Sequence, residues 1–573
     1  MPFPRATTVR WILEPAEPGA VESLQQGGWG AALPPLMVRL LAQRGLASET
    51  AAKAFLQPKL AELGDPFVLP QMQEAVDRIL MAVDRREEVV LYGDYDVDGV
   101  TSLTLMTLVL QAYGLRPHAF LPLRMEEGYG LSLEGLQRCF EEHGKPALLI
   151  ALDCGTVSVV ESIWLQDQGV DCIIVDHHDP AETRPVCTAL VNPKVDGNLT
   201  YFCTVGLVFK LAHALLKARR IDGFDLREHL DLVAMGTVAD LVPLREENRA
   251  LVRKGLEKLA NTRRTGLCAL KQIAGLDGFI QAHHIGFRLG PRLNAAGRLD
   301  TAQTALDLLL CEDPQTAREC AELLDAHNRE RQEVEMTAQR EAQAMMATDP
   351  ALCETACIVL GSRSWHQGVV GIVASRLMRD HHRPTLLLAF GDDGNGKGSG
   401  RSVTGISLVA ALDQCRSLLI KGGGHPMAVG VSLREENLAA FRDGMSAAVE
   451  AQITSDELSP RLHLAAEITL ADLNPNFLEQ YTLLEPFGMG NPEPIFLCRN
   501  MEPLLPGQVL KEKHWKITLR EGGQSRPAMW FNAPIKETPP PPWDVAMKVQ
   551  RHVWRGQESW QLMICEVRAA ERA

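Results

Sequence analysis

The sequence predicts an α/β protein: two α/β lobes, the first built on a parallel sheet, joined by a long helix and followed by a small all-β domain. Three observations carry this. From about Leu80, short and continuously apolar runs alternate with helical stretches, the pattern of a parallel sheet covered on both faces. A charge-rich helical stretch from Leu306 to Met346 separates that region from a second α/β segment, Cys353 to Ile453. Beyond Leu462 the periodicity becomes two, as in Trp515-Lys516-Ile517-Thr518-Leu519, with turn signals at Gly522-Gly523 and Pro539 to Pro542.

Residues 1–74 form a helical N-terminal segment broken at Pro34-Pro35, Pro58, Pro66 and Pro70, and no chemistry attaches to it. Residues 75–300 form the first lobe. Its strand candidates Val89–Tyr92, Ala147–Leu152 and Cys172–Val175 lead into Asp94, Asp153 and Asp176, each within two positions. Ligands of such sheets sit at the C-terminal strand ends, so this repetition locates a site. Residues 301–348 are the connecting helices, and residues 349–456 the second lobe, with strand candidates Ile358-Val359-Leu360 and Leu386-Leu387-Leu388 and two glycine-rich turns. Residues 457–573 complete the chain as the β domain.

Length and composition bound the function. A chain of 573 residues holds several domains, and 46% hydrophobic with 23% charged residues excludes collagen-like, coiled-coil and wholly disordered classes. No apolar run reaches membrane-spanning length, and Met1 to Arg10, with Pro2 and Pro4, lacks the basic-then-apolar pattern of a secretory signal. The 13 cysteines are odd in number and form no CxxC pair, which suits a reducing compartment and predicts a cytoplasmic protein. Net charge is −14, yet the stretch from Arg461 onward carries 13 basic and 13 acidic residues, so the acidic excess lies in the first 460. An acidic domain holds a polyanion only if cations neutralise its carboxylates.

The carboxylates are concentrated. Gly93-Asp94-Tyr95-Asp96-Val97-Asp98-Gly99 places three acids within five residues just past a strand. Such crowding is unfavourable unless cations offset it. An EF-hand loop would need Glu at its twelfth position, where counting from Asp94 gives Leu105. Asp153, then Asp176-His177-His178, then Asp240 in Gly236-Thr237-Val238-Ala239-Asp240 follow in order. An oxygen-rich set with imidazole suits Mn²⁺ or Mg²⁺ better than Zn²⁺.

The ordered set D-Y-D-V-D-G, L-D-C-G, V-D-H-H and G-T-V-A-D resembles motifs one to four of the DHH phosphoesterase superfamily. Later stretches resemble its RecJ branch of single-strand-specific 5′→3′ DNA exonucleases: Gly286 to Arg298, Trp365 to Gly371, Gly398 to Ser402 and Gly422 to His425. The likeness spans about residues 85–430, and the β tail agrees with an OB-fold. It implies a DHH lobe, a DHHA1 lobe and an OB-fold-like domain. It also implies two divalent ions, Mn²⁺ or Mg²⁺: one held by Asp94, Asp96 and Asp153, the other by Asp98, His177 and Asp240 with Asp153 shared. His178 and Asp153 would then be catalytic, with His178 a non-ligand facing the scissile phosphate. One departure is Cys154, where RecJ proteins usually carry Asn.

For substrate grip the resemblance implies Arg124, Tyr129, Arg292, Asn294, Arg298, Asn328 and Arg331, and in the second lobe Ser399, Arg401, Ser402, Gly423, Gly424 and His425. Gly422-Gly423-Gly424 is expected to offer unobstructed N–H groups as an anion nest. Five tryptophans (Trp515, Trp530, Trp543, Trp554, Trp560) and a local basic excess mark the tail for base stacking, although a small barrel also needs large core residues. The expected function is metal-dependent 5′→3′ degradation of single-stranded DNA to 5′-mononucleotides in recombination and repair. The alternatives are a DHH phosphodiesterase of short oligonucleotides or cyclic dinucleotides, and a non-catalytic single-strand-binding scaffold. Single-strand-binding protein and a helicase are expected partners of a monomer without membrane association.

Overall fold

The computed structural model describes residues 9–26, 28–123, 127–128, 130–299, 301–352, 354–453, 459–554 and 557–570. The chain divides into two compact units. One comprises Ala326–Leu462 with the described residues before Leu13; the other comprises Leu13–Asp325 with the described residues from His463 onward.

After a short N-terminal strand β1 (Arg10–Leu13), which begins in the smaller unit, five strands of the larger unit build one sheet: β2 (Val89–Tyr92), β3 (His118–Phe120), β4 (Leu148–Leu152), β5 (Asp171–Val175) and β6 (Ala189–Val191). All pair in parallel, in the order β3-β2-β4-β5-β6. β2 and β4 are buried along their whole length, as their unbroken apolar sequences require. The chain runs from β2 outward to β3 and then returns to β4. The topological switch point therefore lies between the C-terminal ends of β2 and β4, where such sheets bind ligands. Helices Val97–Ala112, Thr204–Ala218 and Leu230–Ala239 are apolar nearly all round and buried accordingly.

The expected boundaries cut through packed elements. Helix Met72–Arg85 straddles residues 74 and 75, and Leu306, Leu309, Ala317, Ala321 and Leu324 of the connecting region belong to the core of the first lobe. The connecting segment does contain one long helix, Pro314–Thr348.

The smaller unit holds a mixed sheet of β7 (Ile358–Ser362), β8 (Thr385–Phe390), β9 (Asn395–Arg401), β10 (Leu419–His425) and β11 (Ala428–Arg434), in the order β10-β11-β9-β8-β7. Both stretches expected as glycine-rich turns are strands. Gly396, Gly398 and Gly400 lie directly opposite Phe390, Leu388 and Leu386. A Cβ there would come within 2.4, 2.7 and 2.8 Å of those side chains. Glycine in β9 thus makes room for the large residues of β8.

The tail opens with β12 (Arg461–Leu464), which pairs with β1, and β13 (Ala466–Glu467). A closed barrel follows: β14 (Phe496–Leu510), β15 (His514–Glu521), β16 (Gln524–Trp530), β17 (Trp543–Trp554) and β18 (Gln557–Ala569). It runs β14-β15-β16-β18-β17 and closes through β14 and β17, with β16 and β18 parallel, as in a five-stranded Greek-key OB barrel. Trp515, Trp530 and Trp543 lie in its core rather than on its surface, and Trp560 is half-buried against it. The side chain of Trp554 lies outside the described residues. The N-terminal helices share this core through Leu24, Met37, Leu40, Leu41 and Leu56. Among the described residues no helix is long and apolar enough to cross a membrane.

Candidate active site

The acids predicted from the sequence converge at the switch point. Asp94, Asp98 and Asp153 are buried, and Asp96 and Asp240 partly so. Oxygen atoms of Asp94, Asp96 and Asp153 lie within 4.8 Å of one another. The same separation holds for Asp98, Cys203 and Asp240, and for Asp153, His177 and His178. His177 Nε2 is 3.5 Å from both Asp153 Oδ1 and Asp240 Oδ2 and 3.9 Å from Asp98 Oδ2.

Local structure fixes each group. Asp96 caps helix Val97–Ala112, its Oδ1 accepting from the N–H groups of Asp98 and Gly99. Gly99 is required there, since a Cβ would lie 2.3 Å from the Asp94 carbonyl oxygen. Asp98 receives two backbone donors from the start of helix Thr204–Ala218, Thr204 N at 2.7 Å and Val205 N at 2.9 Å. Asp153 sits in the left-handed region at φ 66°, a conformation that non-glycine residues hold at a cost and that clusters at functional sites. Its Oδ1 accepts from Thr204 Oγ1 at 2.8 Å.

Crowding sets the protonation states. Burial and the Asp96 charge push Asp98 up to about 6. Burial and the Asp98 charge push Asp240 up to about 9 and hold Asp153 well above the carboxylate range. Burial, with His178 beside it, drives His177 down to about 3, leaving the neutral imidazole that ligates metals. His177 Nε2 and Asp240 Oδ2 are buried with no hydrogen-bond partner among the described residues. Unsatisfied buried groups are costly. A set of carboxyl groups whose ionisation burial and mutual repulsion oppose, with one neutral nitrogen, turned inward and incompletely satisfied, fits divalent cations that offset that charge.

His178 differs from its neighbour. Its Nδ1 is 2.7 Å from Asp176 Oδ1, and this hydrogen bond raises its pKa against the opposing effect of burial. Asp176 in turn is held below the carboxylate range: burial opposes this, but hydrogen bonds from His178 and Thr156 outweigh it. Asn192 Nδ2 donates to the His178 carbonyl and to Thr156 Oγ1, both at 2.9 Å. The role of Asp176 as the anchor of His178 was not among the sequence expectations. Cys203, Thr204 and Asn192 were also missed, because each reads from sequence only as a helix-start or strand-end residue.

The expected substrate residues fare unevenly. Arg124 and Tyr129 lie outside the described residues. Asn294 Oδ1 accepts from Val97 N at 3.1 Å, so it braces the acidic loop. Arg292, expected to grip phosphate, pairs with Asp325 at 2.9 Å. Arg298 is partly exposed on helix Gly290–Leu299, beside Gly297, whose Cβ would approach the Tyr95 carbonyl at 2.9 Å. In the smaller unit, Arg331 bonds Asn328 Oδ1 at 2.9 Å and Glu335 at 2.6 Å, all three buried. Arg401 Nη1 donates to Ser399 Oγ at 3.0 Å. Ser402 is buried, its hydroxyl donating to the Ile406 carbonyl at 2.7 Å. Gly423, Gly424 and His425 lie on the edge strand β10, not in a loop nest.

Comparison with known proteins agrees with this architecture. The sequence models of the DHH family N-terminal domain, the DHHA1 domain and the RecJ OB domain match residues 88–237, 354–451 and 464–566. The single-stranded-DNA-specific exonuclease RecJ of Bacillus subtilis is 36% identical over 99% of this chain and 72% of its own length. That of Dickeya dadantii is 35% identical over 93% of this chain and 96% of its own. The chain belongs to the RecJ family. Among solved structures, RecJ from Thermus thermophilus in complex with Mn²⁺ superposes with a TM-score of 0.82 at 30% identity, covering 98% of this chain and 80% of that one. The Mg²⁺ complex of the same RecJ gives 0.76 at 27% identity, covering 98% and 79%.

Proposed function

We infer that the protein is a divalent-metal-dependent exonuclease that degrades single-stranded DNA in the 5′→3′ direction to 5′-mononucleotides, acting in recombination and repair. The observation that carries this is the convergence of Asp94, Asp96, Asp98, Asp153, His177 and Asp240 on one buried locus, with the anchored His178 beside it. Asp94 and Asp96 with Asp153, and Asp98, His177 and Asp240 with Asp153, would hold two ions, Mn²⁺ or Mg²⁺. Such a pair activates a water and neutralises charge on the scissile phosphodiester.

The chain's own residues do the rest. The Asp176 carboxylate fixes the His178 ring through Nδ1 and favours its protonated form. His178 is thereby prepared to donate from Nε2 to a phosphate oxygen as charge develops. Asn294 and the Asp96 cap hold the acidic loop in register. Arg124, Tyr129 and Arg298 in the catalytic lobe, and Asn328, Arg331, Ser399 and Arg401 in the second, are the proposed phosphate and base contacts. The division of labour is catalytic lobe, DHHA1 substrate lobe and OB barrel. Single-strand-binding protein and a helicase are the proposed partners of a cytoplasmic monomer. Every cysteine among the described residues is a free thiol, which supports that location.

The deciding experiment compares a long 5′-labelled single strand, the same strand as duplex, and a dinucleotide, each with and without Mn²⁺. Mononucleotide release from the single strand alone is expected. Hydrolysis of the dinucleotide with the long strand untouched would transfer the assignment to a small-substrate phosphodiesterase.

A further inference from the structure

We propose that Thr204 is a positioning residue that sets the spacing between Asp98 and Asp153, its main-chain N–H holding the first and its side-chain hydroxyl the second. The proposal rests on the reading of those two acids as metal ligands.

Asp98 enters the site from the segment after β2 and Asp153 from the end of β4. Thr204, the first residue of a 15-residue helix, belongs to neither segment and is completely buried. Its N–H donates to Asp98 Oδ2 at 2.7 Å and its Oγ1 to Asp153 Oδ1 at 2.8 Å. With a cation bound, Asp153 is ionised and only accepts, so the hydroxyl proton then points at its Oδ1. That same oxygen is the one 3.5 Å from His177 Nε2. The hydroxyl therefore dictates which way Asp153 turns its oxygens relative to His177.

Two features make this more than a packing contact. Asp153 has a left-handed backbone at φ 66°, so its side-chain direction needs support from outside its own strand. Threonine also suits the task better than serine, because β-branching stiffens χ1 and fixes the hydroxyl's aim. Partners that orient ligands from behind in this way commonly govern metal affinity and activity by about 10–100-fold.

Thr204→Val separates the two bonds, because it keeps the N–H to Asp98 and replaces the hydroxyl with a methyl of similar shape. Mn²⁺ binding to the full-length protein would be followed calorimetrically, alongside the Mn²⁺ concentration for half-maximal hydrolysis and the melting temperature of metal-free protein. Thr204→Val should weaken Mn²⁺ binding about 10–100-fold and raise the half-maximal Mn²⁺ concentration in parallel. Its metal-free melting temperature should stay at or above that of wild type. Thr204→Ser, which retains the hydroxyl, should bind within about threefold of wild type. Wild-type affinity in Thr204→Val, or an equal loss in Thr204→Ser, would overturn the positioning role. A wild-type protein that took up no Mn²⁺ would instead overturn the ligand reading beneath it.

Discussion

At the scale of single residues, the two adjacent histidines favour different protonation states because their surroundings differ. His177 is driven neutral by burial and points at three carboxylates, whereas His178 is tied to Asp176 and held towards its charged form. His178→Ala should therefore slow hydrolysis by about 10²–10³, the usual cost of removing one transition-state donor, while leaving bound Mn²⁺ nearly unchanged. Metal analysis of the purified variant checks this, and loss of an ion would show the two roles to be reversed. Asp153→Ala should abolish turnover, because it removes the carboxylate common to both clusters around His177 and Asp94. Near-normal Mn²⁺-dependent rates in that variant would rule out a shared ligand. The acids and histidines were legible in the sequence because strand-end carboxylates recur at Asp94, Asp153 and Asp176. Thr204 and Asn192 were not, since a hydroxyl or amide reveals its partner only once the chain has folded.

At the scale of elements, the apolar strands were readable and the glycine-rich ones were not. Glycines in β9 look like a turn by composition, and only the register against β8 shows that each faces a bulky neighbour. The tail tryptophans present the same ambiguity from the other side: large aromatics serve a barrel core or a stacking surface equally well in sequence. The motif Gly236-Thr237-Val238-Ala239-Asp240 was read for its acid, yet its glycine is equally constrained. A Cβ at Gly236 would lie 2.6 Å from Thr101 Oγ1, 2.7 Å from Val205 Cγ1 and 2.9 Å from Asp98 Oδ1. Helix Leu230–Ala239 can thus approach Asp98 only because it is bare at that point. Gly236→Ala should destabilise the protein by about 1–3 kcal/mol through overpacking, with a weaker affinity for Mn²⁺ as Asp98 is displaced. Denaturant unfolding and metal titration of the one variant test both effects, and a wild-type Mn²⁺ affinity would show that Asp98 keeps its place.

At the scale of the whole molecule, the tail is not a detachable module. Its barrel shares a core with the N-terminal helices, and Arg249 of the catalytic lobe donates to the carbonyls of Phe55, Leu483, Leu484 and Glu485. Truncation at Leu462 would leave those helices and the buried guanidinium without partners, so the remainder should lose its cooperative melt. Metal and proton compete on the same global stability. Asp240 is raised to about 9 by burial and the Asp98 charge, above its unfolded value of about 4. In metal-free protein its contribution is therefore fully present below pH 4 and is lost as pH rises through 9. Asp98, raised to about 6, has already lost its share by neutral pH. His177, lowered to about 3, destabilises only below the ordinary histidine range of about 6.5. Between pH 7 and 9 the falling contributions are those of Asp240, of Asp153, raised in the same direction, and of His178, raised by its bond to Asp176, with buried thiols such as Cys154 and Cys203 joining above about 8.5. Metal-free protein should lose about 1–3 kcal/mol across that interval, since one pKa unit corresponds to about 1.4 kcal/mol. Saturating Mg²⁺ should remove the decline, because the ion takes the place of the bound protons and its affinity rises as they leave. Asp240→Asn should make the metal-free slope shallower, leaving the share of Asp153 and His178. Denaturant melts at pH 7, 8 and 9, in chelator and in Mg²⁺, make the comparison, and a metal-free slope equal in wild type and Asp240→Asn would exclude Asp240 as the titrating group.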